Sequence, residues 1–219
     1  MVNVDGEPTA PLVIAIDGPA GAGKSTVGRA LADRLSVGYL DTGAMYRAMT
    51  FAALRRGVVE GALDEVAAMA PTVDITIEGD TVIVDGVDAT VAIRGREVTE
   101  AVSQISANPV VREVLVDRQR AWVSEHGGGV VEGRDIGSVV FPGAQLKLYI
   151  TASARVRAER RVREIGGDID QVEASIIKRD RVDSSRDHSP LTEAEGAVVV
   201  DTTGVSIDAV VTHILELLR

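Results

Sequence analysis

Short apolar runs alternate along the chain with stretches whose apolar positions recur at helical spacing. LVIAI at residues 12–16 is a continuous apolar run closed by Asp17 and Gly18, as expected of a short strand buried on both faces. Over residues 24–35, Val27, Ala30, Leu31 and Leu35 share one helical face. Similar runs at residues 37–40, 130–132, 145–150 and 197–200 predict four further strands, most of them separated by segments of helical period. Ser206 predicts the start of a last helix, with Ile207, Val210, Val211, Ile214, Leu215 and Leu218 on its inner face. Five strands with helices between them predict an α/β fold, a mainly parallel sheet flanked by helices.

One segment breaks this alternation. Residues 73–77 and 81–84 are strand-like, joined across Glu78, Gly79 and Asp80, and Asp85-Gly86 forms a second turn. This is hairpin chemistry, so residues of about 62–97 read as a small antiparallel insert on the parallel core. An insert of that length in a compact domain shapes a binding face more often than it decorates. Asn108-Pro109 and Gly127–Gly129 bracket a helix carrying Val111, Val114, Leu115 and Trp122, and the lone Trp is expected in the core. Residues 1–10 read as a disordered lead-in.

Composition narrows the function classes. A chain of 219 residues fits one domain, or one domain with an insert. It has no cysteine, so neither disulfides nor thiolate-bound metal hold it. The first basic residue is Lys24 and no apolar run approaches the ~18 residues of a membrane span, so a cytoplasmic protein with neither signal peptide nor membrane contact is expected. The net charge of −10 argues against non-specific nucleic-acid binding. Three of the 23 cations are lysines and 20 are arginines, a bias that suits bidentate recognition of phosphate if the arginines converge, and otherwise only marks a GC-rich genome.

Gly18-Pro19-Ala20-Gly21-Ala22-Gly23-Lys24-Ser25 matches G-x-x-x-x-G-K-[ST] and lies between a predicted strand and a predicted helix, the context that motif requires. Its backbone would cradle phosphates, Lys24 would bridge the β and γ phosphates, and Ser25 would ligate Mg²⁺. A dinucleotide-binding reading fails, because Thr26 stands where the third glycine belongs. The motif predicts nucleoside triphosphate binding but not the phosphoryl acceptor.

Further motifs bear on the acceptor. Asp41-Thr42-Gly43-Ala44-Met45-Tyr46-Arg47 opens a helix and could hold a second anion, although an ordinary N-cap with a surface arginine looks the same. Glu132-Gly133-Arg134-Asp135 follows the third core strand, at the carboxyl edge where open α/β sheets bind ligands; alone it could be a salt-bridged turn. Arg155, Arg157, Arg160, Arg161 and Arg163 crowd one predicted helix, with Glu159 the single acid inside that run, which fits a lid closing on a triphosphate or a solvated charged face. Arg179, Asp183 and Arg186 share a helical face, as they would in a plain salt-bridge ladder.

Together, IDGPAGAGKST, LDTGAMYR, VSQISANPVVR, EGRDIGSVVFPGA, the Arg-rich helix and KRDRVDSSR resemble bacterial cytidylate kinases, within the nucleoside monophosphate kinase family, from Val13 to the last helix. The resemblance implies a P-loop core over residues 11–40 and 108–219, a monophosphate-binding domain over 41–107 that carries the insert, and a lid over about 153–168. It implies transfer of the γ-phosphoryl of ATP to CMP or dCMP with Mg²⁺. By motif match, ATP would sit on Gly18, Pro19, Ala20, Gly21, Ala22, Gly23, Lys24, Ser25 and Thr26. Thr42, Tyr46 and Arg47, joined by Arg134 and Arg179, would meet the acceptor phosphate end. Ser103, Arg112 and Asp135 would read cytosine, Asp183 the ribose, and Arg186 would lie in the same pocket. Lys24, Arg134, Arg157, Arg161 and Arg179 would carry catalysis. Glu132 and Thr42 stand where relatives can carry Asp and Ser, and both keep the functional group.

The chemistry of the base agrees. Cytosine offers an amino donor where uracil offers a carbonyl acceptor, so a buried carboxylate at Asp135 would attract one and repel the other. A site built on such a hydrogen bond can discriminate by on the order of 10⁴. Other P-loop kinases acting on UMP, AMP or shikimate are the alternatives, with an NTP-dependent switch behind them; Asp135 with Arg112 and Ser103 separates them. A monomer with small-molecule partners is expected.

Overall fold

The computed structural model describes residues 11–58, 62–185 and 190–218; the lead-in expected over residues 1–10 lies outside them. Strand β1 (Leu12–Asp17) runs into the glycine loop and helix α1 (Lys24–Leu35), followed by β2 (Tyr39–Asp41) and α2 (Thr42–Arg55). Then come α3 (Leu63–Met69), β3 (Ile75–Glu78), β4 (Thr81–Val84), β5 (Val87–Asp88), α4 (Arg96–Ile105) and α5 (Pro109–His126). The chain closes with β6 (Gly128–Glu132), β7 (Leu146–Thr151), α6 (Ala154–Ile165), α7 (Ile169–Ser184), β8 (Val198–Asp201) and α8 (Ile207–Leu217).

The core sheet is parallel throughout, in the order β2-β6-β1-β7-β8, with Ile14 of β1 opposite both Val130 of β6 and Leu146 of β7. Side chains alternate across a strand, so the apolar run of β1 feeds two cores. Val13 and Ala15 join a cluster with Met45, Met49 and Ala52 of α2 and Val111 and Leu115 of α5. Ile14 and Ile16 face the other way, onto Val27 and Leu31 of α1 and Val210, Val211 and Ile214 of α8. Each fully buried Ile or Leu contributes about 1.5–3 kcal/mol, which explains why the central strand is apolar until its last residue. Ser206 caps α8 as the sequence predicts, its hydroxyl accepting from the Ala209 amide.

Three expectations need correction. The insert is antiparallel only over β3-β4-β5; residues 62–97 also hold α3, two short 3-10 turns and the start of α4. Strand β2 begins at Tyr39 because the Ser36 and Val37 amides are spent on Asp33 and Ala32 carbonyls, closing α1. Trp122 is half-buried on the flank of the first cluster, its ring against Gly38 and Gly129 and stacked on His126 at 4.1 Å.

An ion pair links the insert to the core. Asp80, at the β3–β4 turn, meets Arg29 of α1 at 2.6 Å, and Arg29 lies over the Tyr39 ring. No described helix is long and apolar enough to cross a membrane.

Asn108 joins the insert to α5: its side-chain oxygen accepts from the Val110 and Val111 amides, and its nitrogen donates to the Leu63 carbonyl at 2.9 Å. Asn108→Ala should lower stability by about 1–2 kcal/mol, seen as a reduced urea midpoint with an unchanged slope.

Candidate active site

Strands β1, β2 and β6 end on Asp17, Asp41 and Glu132, so three carboxylates stand at the carboxyl edge of the sheet where its strand order reverses. The glycine loop crosses this edge. Gly18 has φ +141°, and a Cβ there would lie 1.9 Å from the Ile150 carbonyl oxygen, so only glycine lets the loop leave β1 against β7. Gly23 ends the loop in the left-handed region and delivers α1 with its first turn facing the edge. The loop's carbonyls are met by donors: Pro19 by the Lys24 ammonium at 2.9 Å, Ala20 by Arg157 at 3.1 Å, and Ala22 by the Thr202 hydroxyl at 2.9 Å.

Lys24 is buried, and desolvation, then the Arg134 guanidinium, lower its ammonium pKa to about 7. Glu132 is buried beside it, its carboxyl pushed up by burial and by Asp41. The Ser25 hydroxyl donates to Glu132 Oε1 at 2.8 Å, while Glu132 Oε2 is buried with no hydrogen-bond partner. A hydroxyl and a carboxylate with an open buried oxygen form a hard, all-oxygen donor set of the kind Mg²⁺ takes, sharing its shell with water and phosphate. Among the described residues no group of three or more His, Cys, Asp or Glu side chains is placed to hold a metal, so this pair is the candidate.

Around the loop, Thr42 starts α2 and donates to the Glu132 carbonyl at 2.7 Å, locking the acceptor-side helix to β6. Arg112 of α5 pairs with Asp135 in a buried ion pair and lies over the Tyr46 ring. Ser103 sits half-buried on α4, the helix preceding α5. Arg134 donates to Asp183 at 3.0 Å, and Arg179 lies 3.9 Å from the same carboxylate, which is only 1% exposed. Arg186 lies outside the described residues. Arg47 is turned onto the Ile93 carbonyl and Thr99 hydroxyl; burial, then Arg161, depress its pKa, with Arg94 and Arg134 acting the same way. Cations from α2, α6 and the β6 loop therefore converge.

The Arg-rich helix looks different in space. Helix α7 supplies acids to it: Asp170 and Glu173 for Arg155, and Asp180 for Arg157. Arg157 is buried, with Nε on the Ala152 carbonyl and its fork on Asp180 and the Ala20 carbonyl, so it fastens α6 to the glycine loop and to α7. Arg160 holds Thr202, and Arg161 stays half-exposed, 3.6 Å from Glu164.

Some residues at the site carry no role in the sequence reading. Asp17 accepts from the Ile136 and Gly137 amides, and Tyr39 places a buried hydroxyl beside Ser25, its phenol pushed up by burial and by Glu132. Asp180 and Thr202 are two more. Position was the available signal for Asp17 and Thr202: each stands at the carboxyl edge of a core strand or one residue beyond it.

Comparison with known proteins follows this geometry. The cytidylate kinase family profile matches residues 14–219. The chain is similar to a cytidylate kinase of Corynebacterium efficiens, 46% identical over 219 residues, covering 96% of this chain and 95% of the relative. One from Geobacillus kaustophilus is 47% identical over 217 residues, covering 94% and 96%. In fold it is similar to a shikimate kinase structure from Bacteroides thetaiotaomicron, with a TM-score of 0.50 and 16% identity over 95% of this chain and 99% of that one. With the family profile matched from residue 14 to 219 and relatives 46% and 47% identical over nearly their whole length, this chain belongs to the cytidylate kinase family.

Proposed function

We propose that the protein transfers the γ-phosphoryl of ATP to CMP or dCMP, and that the loop after β6 selects the base. The observation that carries this reading is the buried Arg112–Asp135 pair. Arg112 holds the Asp135 carboxylate in a fixed direction, and a carboxylate accepts hydrogen bonds without donating them. The amino group of cytosine satisfies it; the carbonyl of uracil faces it acceptor to acceptor. Tyr46 packs beneath Arg112, which supports a flat wall for the base.

Phosphoryl transfer needs positioning and charge neutralisation more than a covalent relay. Residues 18–26 hold ATP, with Lys24 on the β and γ phosphates. Ser25 and Glu132 hold Mg²⁺, which supplies positive charge to the phosphate oxygens when bound. Thr42, Arg47, Arg134 and Arg179 hold the acceptor phosphate, already ionised and needing no strong base. Ser103 assists at the base and Asp183 takes the ribose. Arg161, near enough to Arg47 to depress its pKa, closes over the transferred group, while Arg157 acts through the loop it braces. The division into core, acceptor domain (residues 41–107) and lid (about 153–168) gives the closure that keeps water from competing as acceptor.

A coupled ADP-release assay across nucleoside monophosphates with MgATP should show CMP and dCMP phosphorylated well and UMP poorly, with turnover lost when Mg²⁺ is chelated. Asp135→Asn should narrow the CMP-over-UMP ratio by roughly 10²-fold or more. Equal rates with every base in the wild type would reject the assignment.

Lys24 gives a second check. Its free-state pKa is about 7 and phosphate favours the ammonium, so nucleotide binding takes up a proton above that pH and weakens as pH rises through it. Calorimetry of MgADP binding at pH 8, in buffers of different ionisation enthalpy, should register net proton uptake in the wild type and a smaller uptake in Lys24→Gln.

A further inference from the structure

Asp17 is the last residue of β1 and immediately precedes Gly18 of the phosphate loop. Its side chain is 3% exposed, yet it points at no substrate group assigned above. Oδ1 accepts from the Ile136 amide and Oδ2 from the Gly137 amide, each at 2.7 Å. These are the two peptide groups that follow Asp135. The same junction is tied again by the Gly133 amide on the Ile16 carbonyl, so β1 grips the base-reading loop on both sides of Arg134-Asp135. The Asp135 carbonyl in turn accepts from the Val139 and Val140 amides, closing the short turn that carries the loop onward.

A carboxylate that accepts two backbone amides is a strong, directional clamp. Keeping it ionised in this setting opposes burial, which with Asp135 outweighs the two amides and Lys24 and leaves the carboxyl raised to about 6. An apolar residue would fill the end of β1 without that cost, and every earlier residue of the strand is apolar. The clamp therefore serves something other than the core.

We propose that Asp17 is a positioning residue for base selection, setting the aim of the Asp135 carboxylate by clamping the Ile136 and Gly137 amides. It also registers the acceptor base against the phosphate loop, since the residue that aims Asp135 is the residue from which that loop springs. The proposal rests on Asp135 reading the base, and the test separates the two.

Asp17→Asn keeps one acceptor and turns an NH₂ toward the second amide. The kcat/KM values for CMP and UMP, and the KM for ATP, are measured for Asp17→Asn, Asp17→Glu and Asp135→Asn, with circular dichroism and thermal midpoints recorded for each. The CMP-over-UMP ratio should fall roughly tenfold to a hundredfold in Asp17→Asn, with the KM for ATP nearly unchanged. Asp17→Glu, which retains both acceptor oxygens, should recover part of the ratio. A folded Asp17→Asn that loses rate on both bases equally overturns the proposal, because a purely structural brace does that. If Asp135→Asn itself leaves the ratio unchanged, base reading by Asp135 is what fails; if it narrows the ratio and Asp17→Asn does not, the positioning role alone fails. Should neither Asp17 variant fold, hydrogen–deuterium exchange of the wild-type peptide spanning residues 135–141 decides. CMP should slow its exchange more than UMP does at equal saturation, and equal protection by the two overturns the proposal.

Discussion

Burying an ion without a partner costs several kcal/mol, and this constraint organises the carboxyl edge of the sheet. Asp17, Lys24, Arg112, Glu132, Asp135, Arg157 and Asp183 are all buried there or along its rim. Most are compensated within the chain: Arg112 by Asp135, Arg157 by Asp180, Asp183 by Arg134, and Asp17 by two amides. Two lack a full set of hydrogen bonds, although they lie beside each other. Lys24 has a carbonyl for its ammonium, and Glu132 has one oxygen without a hydrogen bond. The incomplete hydrogen bonding thus gathers where a triphosphate and its cation are proposed to bind, so the ligand would complete an arrangement that the fold leaves open.

The pairing of α6 with α7 follows a different rule. Helix α7 buries a single residue, Asp183, and meets α6 largely through exposed or half-exposed ion pairs. Such pairs are worth about 0–1 kcal/mol each and weaken with salt. Elements held this lightly open at small energetic expense. Arg157 is the exception and ties α6 to the glycine loop, while Arg161 on the same helix stays half-exposed.

Much of this was legible in the sequence where a local rule applies. The apolar run at residues 12–16, the glycine motif and the Ser206 cap each express a short-range preference, and all appear as expected. The insert was read as antiparallel strand throughout because hairpin signals are local, whereas α3 and α4 owe their buried faces to α2 and α5, which lie elsewhere in the sequence. In the sequence the arginines of residues 155–163 have one acid among them, Glu159, so their partners are not visible; Asp170, Glu173 and Asp180 become partners only when α7 folds back. Asp17 escaped for a related reason. Its partners are backbone amides 119 and 120 residues away, and an amide leaves no mark in a sequence.

Gly18 shows that a nucleotide-binding pattern also records packing. Its missing side chain is required by the Ile150 carbonyl of a neighbouring strand, before any phosphate is considered. The first glycine of the motif is therefore a joint between two strands as well as the rim of a binding loop. A substitution there would part β1 from β7, and its failure would look like lost nucleotide affinity while originating in the sheet.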